Sequence, residues 1–436
     1  MIPIDDTHDP LRRSWVESAN SSDTDFPIQN LPLGIFSFDG VDCRAGVAIG
    51  DCILDLRVLA NQGLLPNELS ELVVGSNLDP LLAVGVDTMG ELRRAVGNIL
   101  DASCDSVVQQ TIRQSALVPM MDAQMHLPSS VRSFTDFFVG IHHAEECMRL
   151  LTGSPQIPRG FTSMPLAYNG RASSVRISGE TVRRPLGQRL VDDHAEFGPC
   201  RWLDFEIELG IFVAGSNTLG SPVPISEADK RIAGFCLLND WSARDIQFWE
   251  TTPLGPFNGK GFSTTISPWI ISQQAMAPFR APLMDRVAGV PEPLPYLLDA
   301  QDQTHGGLSI RLEASISTAR MRDAGDEPVK IVGTDARYLY WTFAQMVAHH
   351  SCGGTNLIPG DLIGSGTISG PTREMFASMF ELCSSGQAPI TLPNGETRAF
   401  LEDGDEVSFT GRCERPGFAS IGFGLCSGRI EPSPAF

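Results

Sequence analysis

The stretch Leu203-Asp204-Phe205-Glu206-Ile207-Glu208-Leu209-Gly210-Ile211 decides most of what this chain can be. Apolar and polar residues alternate strictly through it, which is the period of a β-strand and not of a helix. Leu203, Phe205, Ile207, Leu209 and Ile211 then share one face. Asp204, Glu206 and Glu208 share the other, with successive side chains roughly 7 Å apart. Three carboxylates in a row repel one another unless water or a cation screens them. Two readings stay open here: a solvated outer face, or a platform for a hard cation such as Mg2+ or Ca2+, which takes oxygen ligands of this kind.

Downstream, residues 232–238 form an apolar run that reads as a buried strand and ends in Asn239-Asp240-Trp241-Ser242-Ala243-Arg244-Asp245-Ile246-Gln247. If a helical turn begins at Asp240, then Asp240, Arg244 and Gln247 fall on one face at i, i+4 and i+7. That pattern suits a helix N-cap with an ion pair, and equally a metal ligand followed by two donors. The loop Pro253-Leu254-Gly255-Pro256-Phe257-Asn258-Gly259-Lys260-Gly261 has glycines that let backbone approach a ligand, with Lys260 able to reach in.

Upstream, Asp136 sits in Phe134-Thr135-Asp136-Phe137-Phe138, where an unpaired carboxylate among aromatics is costly, so a turn or cap is the plain alternative. His142 and His143 follow near a helix start and read equally as surface residues. Tyr168-Asn169-Gly170-Arg171 reads as a hairpin turn, because Asn-Gly suits positive φ. Gly366-Thr367-Ile368-Ser369-Gly370-Pro371 reads as a strand-to-turn junction, and Glu381 closes an amphipathic piece.

The rest of the chain sets the frame. At 436 residues it is long enough for two domains, with a boundary expected at Met125-His126-Leu127-Pro128: residues 1–128 and 129–436. The first part mixes strands, as over 44–56, with a helix in which Leu92, Val96, Ile99 and Leu100 recur at helical spacing. Beyond it, glycine and proline punctuate short apolar or alternating runs, so the fold class is mainly β with some helix. Residues 277–307 read as a long surface loop, and one helix is expected over 336–350 with Gly353 and Gly354 ending it.

Apolar residues at 42% and charged residues at 19% describe a globular protein. The formal charge of -20 argues against nucleic acid, since a phosphate backbone needs clustered Lys and Arg. It does not oppose a small anionic substrate, because a local cation reverses the sign within one pocket. No apolar run approaches the ~18 residues of a membrane helix, and the acidic, proline-broken start Met1-Ile2-Pro3-Ile4-Asp5-Asp6 is unlike a signal peptide. The ten cysteines fall singly, which points to reduced thiols and the cytosol.

Taken one at a time, these motifs prefer their bland readings; their coincidence calls for another explanation. The chain resembles the fumarylacetoacetase family over essentially its whole length. The resemblance is carried by Asp25-Phe26-Pro27-Ile28-Gln29-Asn30-Leu31-Pro32, Gly170-Arg171-Ala172-Ser173-Ser174, Asn239 to Gln247, Ser365 to Pro371, and Leu401-Glu402-Asp403-Gly404-Asp405-Glu406-Val407. It implies an SH3-like N-terminal barrel and a C-terminal mixed β-roll, assembled as a cytosolic homodimer.

The implied metal ligands are Asp136, Glu206, Glu208 and Asp240, with a second cation site near Lys260 and Thr264. The ion would be Mg2+ or Ca2+, with Mn2+ also open, and no organic cofactor is implied. His143 matches the general base, Glu381 the residue orienting it, and Arg244, Gln247 and Lys260 the donors to the reacting carbonyl. Tyr168 and Thr367 match substrate contacts. The implied reaction is metal-dependent hydrolysis of a carbon–carbon bond in a small 1,3-diketo substrate. Metal-enolate chemistry without hydrolysis (decarboxylation, lyase or isomerase action) is the alternative, and the retained His143 and Glu381 favour hydrolysis.

Three departures fall in the implied substrate pocket. The family has tyrosine where this chain has Phe138, a carboxylate-binding arginine where an ungapped reading gives Thr152, and tyrosine where it has Thr251. Arg149, one helical turn from position 152, is a candidate substitute for the missing arginine. The pattern suggests a substrate other than fumarylacetoacetate, less acidic and from a specialised pathway.

Overall fold

A computed structural model describes residues 2–40, 42–286 and 289–435. The N-terminal segments build a five-stranded antiparallel sheet from β1 (Leu33–Ser37), β2 (Arg44–Ile49), β3 (Cys52–Asp55), β4 (Leu117–Pro119) and β5 (Gln124–His126), in the order β4-β3-β2-β1-β5. No ladder joins β4 to β5 among the described residues. Between β3 and β4 the chain is helical. Its longest helix, α1 (Val86–Leu100), buries Leu92, Val96 and Leu100, the apolar stripe expected from their spacing.

An eight-stranded mixed sheet forms the centre. Its strands are β6 (Phe134–Phe138), β7 (Leu166–Asn169), β8 (Val175–Ile177), β10 (Ile207–Val213), β11 (Ile232–Asn239), β13 (Thr264–Ile266), β14 (Ile271–Ser272) and β15 (Leu362–Gly364). They run in the order β7-β6-β15-β10-β11-β13-β8, with β14 also on β11. A separate two-stranded ladder joins β9 (Leu203–Asp204) to β12 (Ser242–Ala243). A second five-stranded sheet (Val329–Asp335, Arg311–Ser317, Glu406–Cys413, Ile421–Glu431 and Thr181–Arg183) lies against one face of the centre, where Phe409 meets Phe205 edge-on at 5.7 Å.

β10 shows why the alternation matters. Ile207, Leu209 and Ile211 belong to the core shared with Phe409 and Phe423, while Phe212 and Ala214 on the other face pack with Leu92 and Val96 of α1. The face that carries Glu206 and Glu208 thus becomes apolar beyond Gly210, and neither face meets solvent. The solvated reading of the carboxylates is therefore excluded: Asp204, Glu206 and Glu208 are all buried.

Four local expectations need correction. The strand 203–211 is interrupted, because Phe205 and Glu206 leave the ladder where Glu206 bridges Ser378 and its N–H donates to the Asn239 side chain at 3.1 Å. Asp204 consequently leaves the line of Glu206 and Glu208, sharing Arg244 with Glu206 but taking the N–H groups of Met379 and Phe380 for itself. Tyr168-Asn169 is not a turn but strand β7, antiparallel to β6 with Tyr168 opposite Asp136, which places Asp136 in a strand as well. The helix expected over 336–350 is a 3-10 turn at Ala336–Tyr338 followed by a helix Phe343–Ser351, restarted by a capping box between Thr342 and Gln345. The stretch 277–307, of which 287 and 288 lie outside the described residues, carries short turns and a helix Ala300–His305 as well as loop.

That helix brings Asp302 under Thr342, whose hydroxyl donates to its carboxylate at 2.8 Å. Burial pushes the Asp302 carboxyl up to about 6. The folded state therefore binds more protons than the unfolded one between pH ~4 and 6, so this residue's contribution is fullest below the unfolded value and is lost as pH rises through the folded one. Asp302→Asn should remove that dependence, on the order of 2–3 kcal/mol across the window. Urea unfolding of both proteins at pH 4.5 and 7 checks it; equal pH dependence in the two would refute it.

Candidate active site

Asp136, Glu208 and Asp240 are buried with ligand oxygens within 4.8 Å of one another. Backbone register assembles them. Parallel pairing of β6 with β15 sets Asp136 beside Gly364, and antiparallel pairing of β15 with β10 sets Gly364 beside Gly210, two residues from Glu208. A Cβ on Gly364 would run into the Asp136 carboxyl and come within 3.1 Å of Glu208 Oε2, so glycine is required between the two acids. The N–H of Gly366 donates to Asp136 Oδ1 at 3.2 Å and to Glu208 Oε2 at 3.0 Å, an approach that uses its left-handed φ of 77°. Tyr168, opposite Asp136, donates its hydroxyl to Asp240 Oδ2 at 2.7 Å and lies 3.3 Å from Asp136 Oδ2.

These contacts leave the cluster short of positive charge. Glu208 Oε1 is buried without a hydrogen-bond partner. Burial first, and the neighbouring carboxylates second, hold Asp136 and Glu208 well above the usual carboxylate range. Burial also raises Asp240, against the pull of Lys260. Closely spaced oxygens, an unsatisfied lone pair and mutual repulsion are the donor chemistry that suits a hard divalent cation.

Glu206 stands apart from that trio. Arg244 Nη2 donates to it at 2.7 Å, the Lys260 ammonium bridges it to Asp240, and His143 Nε2 lies 3.6 Å away. Although burial opposes it, Lys260 and Arg244 hold Glu206 far below the usual range. Lys260, on the single turn α4 (Asn258–Gly261), is kept charged by Asp240 and Glu206 despite burial. Thr264 Oγ1 reaches only 3.5 Å from Asp240 Oδ1. The Asp240–Arg244–Gln247 face is also different from the expectation. Helix α3 (Arg244–Glu250) starts at Arg244, after β12, and Asp240 precedes both. Arg244 and Gln247 still meet, at 3.4 Å.

Arg244 is fixed from behind. Its Nε donates to Asp204 Oδ2 at 2.9 Å, and Asp204 also accepts the N–H groups of Met379 and Phe380 at the start of α5 (Met379–Leu382). On α5, Glu381 Oε2 accepts from Ser369 at 2.9 Å, Ser378 at 2.7 Å and His143 Nδ1 at 2.8 Å. His143 lies in the first turn of α2 (Ile141–Thr152). With Nδ1 donating to Glu381, its Nε2 faces the cavity. Burial disfavours the charged ring, but Cys147 and Glu381 outweigh it and hold His143 well above its ordinary pKa.

Over these groups opens a cavity of about 500 Å³. Phe138, Tyr168, Thr251 and Thr367 line it as expected, Phe138 standing edge-on to His143 at 5.5 Å and Thr367 Oγ1 buried without a partner. Thr152 does not. Its hydroxyl donates to Met148 O at 2.8 Å on the exposed end of α2, because the helix turns Cys147, Met148 and Leu151 inward instead. Nor does Arg149 replace a lost arginine, since it is held on the surface by Glu146 at 2.7 Å.

Residues 134–430 match the family described as fumarylacetoacetate (FAA) hydrolase C-terminal, and residues 29–128 that described as fumarylacetoacetase N-terminal. The chain is 42% identical over 425 residues to fumarylacetoacetase of Bos taurus, covering 95% of this chain and 98% of that protein. It is 40% identical over 435 residues to that of Arabidopsis thaliana, covering 97% and 99%. The chain belongs to the fumarylacetoacetase family.

Several site residues of this family member escape a reading of its sequence. Cys147, whose Sγ is 3.5 Å from His143 Nε2, was signalled only by its i+4 spacing on α2. Ser378 was legible as the cap of a Ser-x-x-Glu start, its hydroxyl accepting Glu381 N at 3.3 Å. Asp204 as the anchor of Arg244, and Gly364 as the space between two acids, had no local signal. If the acid trio takes a divalent cation, adding Mg2+, Ca2+ or Mn2+ to chelator-treated protein should raise Tm. In Glu208→Gln that rise should need at least about tenfold more ion, while the metal-free variant should melt no lower than the parent, since burial and the neighbouring acids already push this carboxyl toward its neutral form. Scanning fluorimetry with and without chelator decides this; an unchanged ion requirement would remove Glu208 from the site.

Proposed function

We propose that this chain hydrolyses the carbon–carbon bond between the two carbonyl groups of a 1,3-diketo substrate. The observation that carries it is the His143–Glu381 pair set against the buried carboxylates within one cavity. Asp136, Glu208 and Asp240 would hold a divalent cation, Mg2+, Ca2+ or Mn2+, with Glu206 beside them. Bound there, it supplies a Lewis acid and a template for the two substrate oxygens.

The residues of the chain account for the remaining steps. The neutral form of His143, its Nδ1–H kept in place by Glu381, takes a proton from water at Nε2. The resulting hydroxide adds to one carbonyl carbon, and the negative charge develops on its oxygen. Arg244 uses Nε and Nη2 on carboxylates, leaving the Nη1 side, in contact with Gln247, to donate to that oxyanion. Lys260 likewise has a third N–H beyond those given to Glu206 and Asp240. The carbon–carbon bond then breaks, its electron pair leaving as an enolate, and the proton on His143 returns to the enolate carbon. One water is consumed, giving one carboxylic acid and one ketone, and no organic cofactor takes part.

The family match on either side of residue 128 supports a division into 1–128, an SH3-like barrel, and 129–436, a β-roll. Family membership and the ten unpaired cysteines support a cytosolic homodimer. Among the described residues no helix is long and apolar enough to cross a membrane.

Metal-loaded protein should bleach the enol absorbance of a 1,3-diketone and place one oxygen from labelled water in the acid product. His143→Ala should lower kcat by about 10²–10⁴. Glu381→Gln should lower it less and shift the pH profile. A product that keeps every carbon and gains no water would refute hydrolysis.

A further inference from the structure

We infer that the substrate arm pointing away from the carboxylate floor is uncharged and apolar, an alkyl or aryl group rather than a carboxylate. This deepens the proposed reaction and rests on it. The cavity is divided by chemistry. Its floor holds Asp136, Glu206, Glu208, Arg244, Lys260 and His143, while its outer wall is built from Phe138, Met148, Leu151, Leu166, Phe248 and Pro256.

The wall residues come from β6, α2, β7, α3 and the loop before α4, so the apolar surface is a product of the fold and not of one segment. Among the described residues, the cationic groups that face the cavity are all on the floor and each is already held by carboxylates: Arg244 by Asp204 and Glu206, Lys260 by Glu206 and Asp240, and His143, when protonated, by Glu381. Arg149, on the same helix as the wall residues, pairs with Glu146 outside. The other polar side chains of the lining supply no positive charge, the Thr367 hydroxyl, buried without a partner, included. The Thr251 hydroxyl donates to Gln247 O at 2.6 Å, and Cys147 sits against His143. A carboxylate arm would be stripped of water with no counter-charge, whereas an alkyl arm gains with each methylene removed from water.

The test uses two series of 2,4-diketones with the same methyl ketone head. One carries straight alkyl or phenyl arms, the other ω-carboxyalkyl arms of equal length. In metal-loaded protein, kcat/KM should rise roughly fourfold per methylene until the wall is filled. It should be about 30-fold or more lower for a carboxylate arm than for its methyl-ended counterpart. Binding of both series to the His143→Ala protein, followed by calorimetry, reads the same preference with cleavage suppressed. Leu151→Arg, a half-exposed position at the mouth, should move the preference at least tenfold toward the carboxylate arm.

Equal kcat/KM and equal affinity for the two arms, or no gain for the carboxylate arm in Leu151→Arg, overturn the inference. If no diketone is cleaved while apolar arms still bind some 30-fold more tightly, the arm preference stands and the hydrolase reading falls.

Discussion

Like charges forced together out of water are the constraint on which this architecture turns. Asp136, Asp204, Glu206, Glu208, Asp240 and Glu381 are all buried, within reach of one another or of a shared partner. Unpaired, such a group would unfold the domain, because each buried anion costs several kcal/mol before compensation. The compensation is spread across the fold: Arg244 from α3, Lys260 from α4, His143 from α2, Tyr168 from β7 and the Gly366 amide after β15. Secondary structure that looks unrelated in the chain is thus held to one place by a common electrostatic need.

The same need sorts the acids into roles. Glu206, which meets both a guanidinium and an ammonium, is held ionised, while Asp136 and Glu208, which meet mainly one another, are pushed toward the neutral form. That contrast separates the carboxylates that anchor side chains from those with capacity for a further cation. Asp204 also anchors a side chain, although burial raises its carboxyl against the pull of Arg244. It joins α3 to α5, so the Arg244 guanidinium and the Glu381–His143 pair are positioned by a single buried anion.

Much of this was legible in the sequence and some was not, for definable reasons. Alternation through Leu203 to Ile211 gave the strand and its faces, since local period is a local property. The break at Phe205 and Glu206 was hidden, because the Asn239 side chain and Ser378 impose it from 33 residues away and farther. Asn-Gly at 169–170 pointed to a turn, but pairing with β6 overrode that preference. Asp240, Arg244 and Gln247 shared a face only under the assumption that helix begins at Asp240, and β12 displaces its start. An ungapped reading against the family selected Thr152, whereas the face of α2 toward the cavity carries Cys147, Met148 and Leu151. Family resemblance transmits residue identity well and side-chain direction less well.

β10 carries Glu208 over the active site and, four residues on, Phe212 in the core it shares with Leu92 and Val96 of α1. One rigid ladder therefore has both ends occupied, one by chemistry and the other by packing. Packing at the apolar end therefore helps to set where the charged end stands, because close-packed side chains transmit displacement along a paired strand.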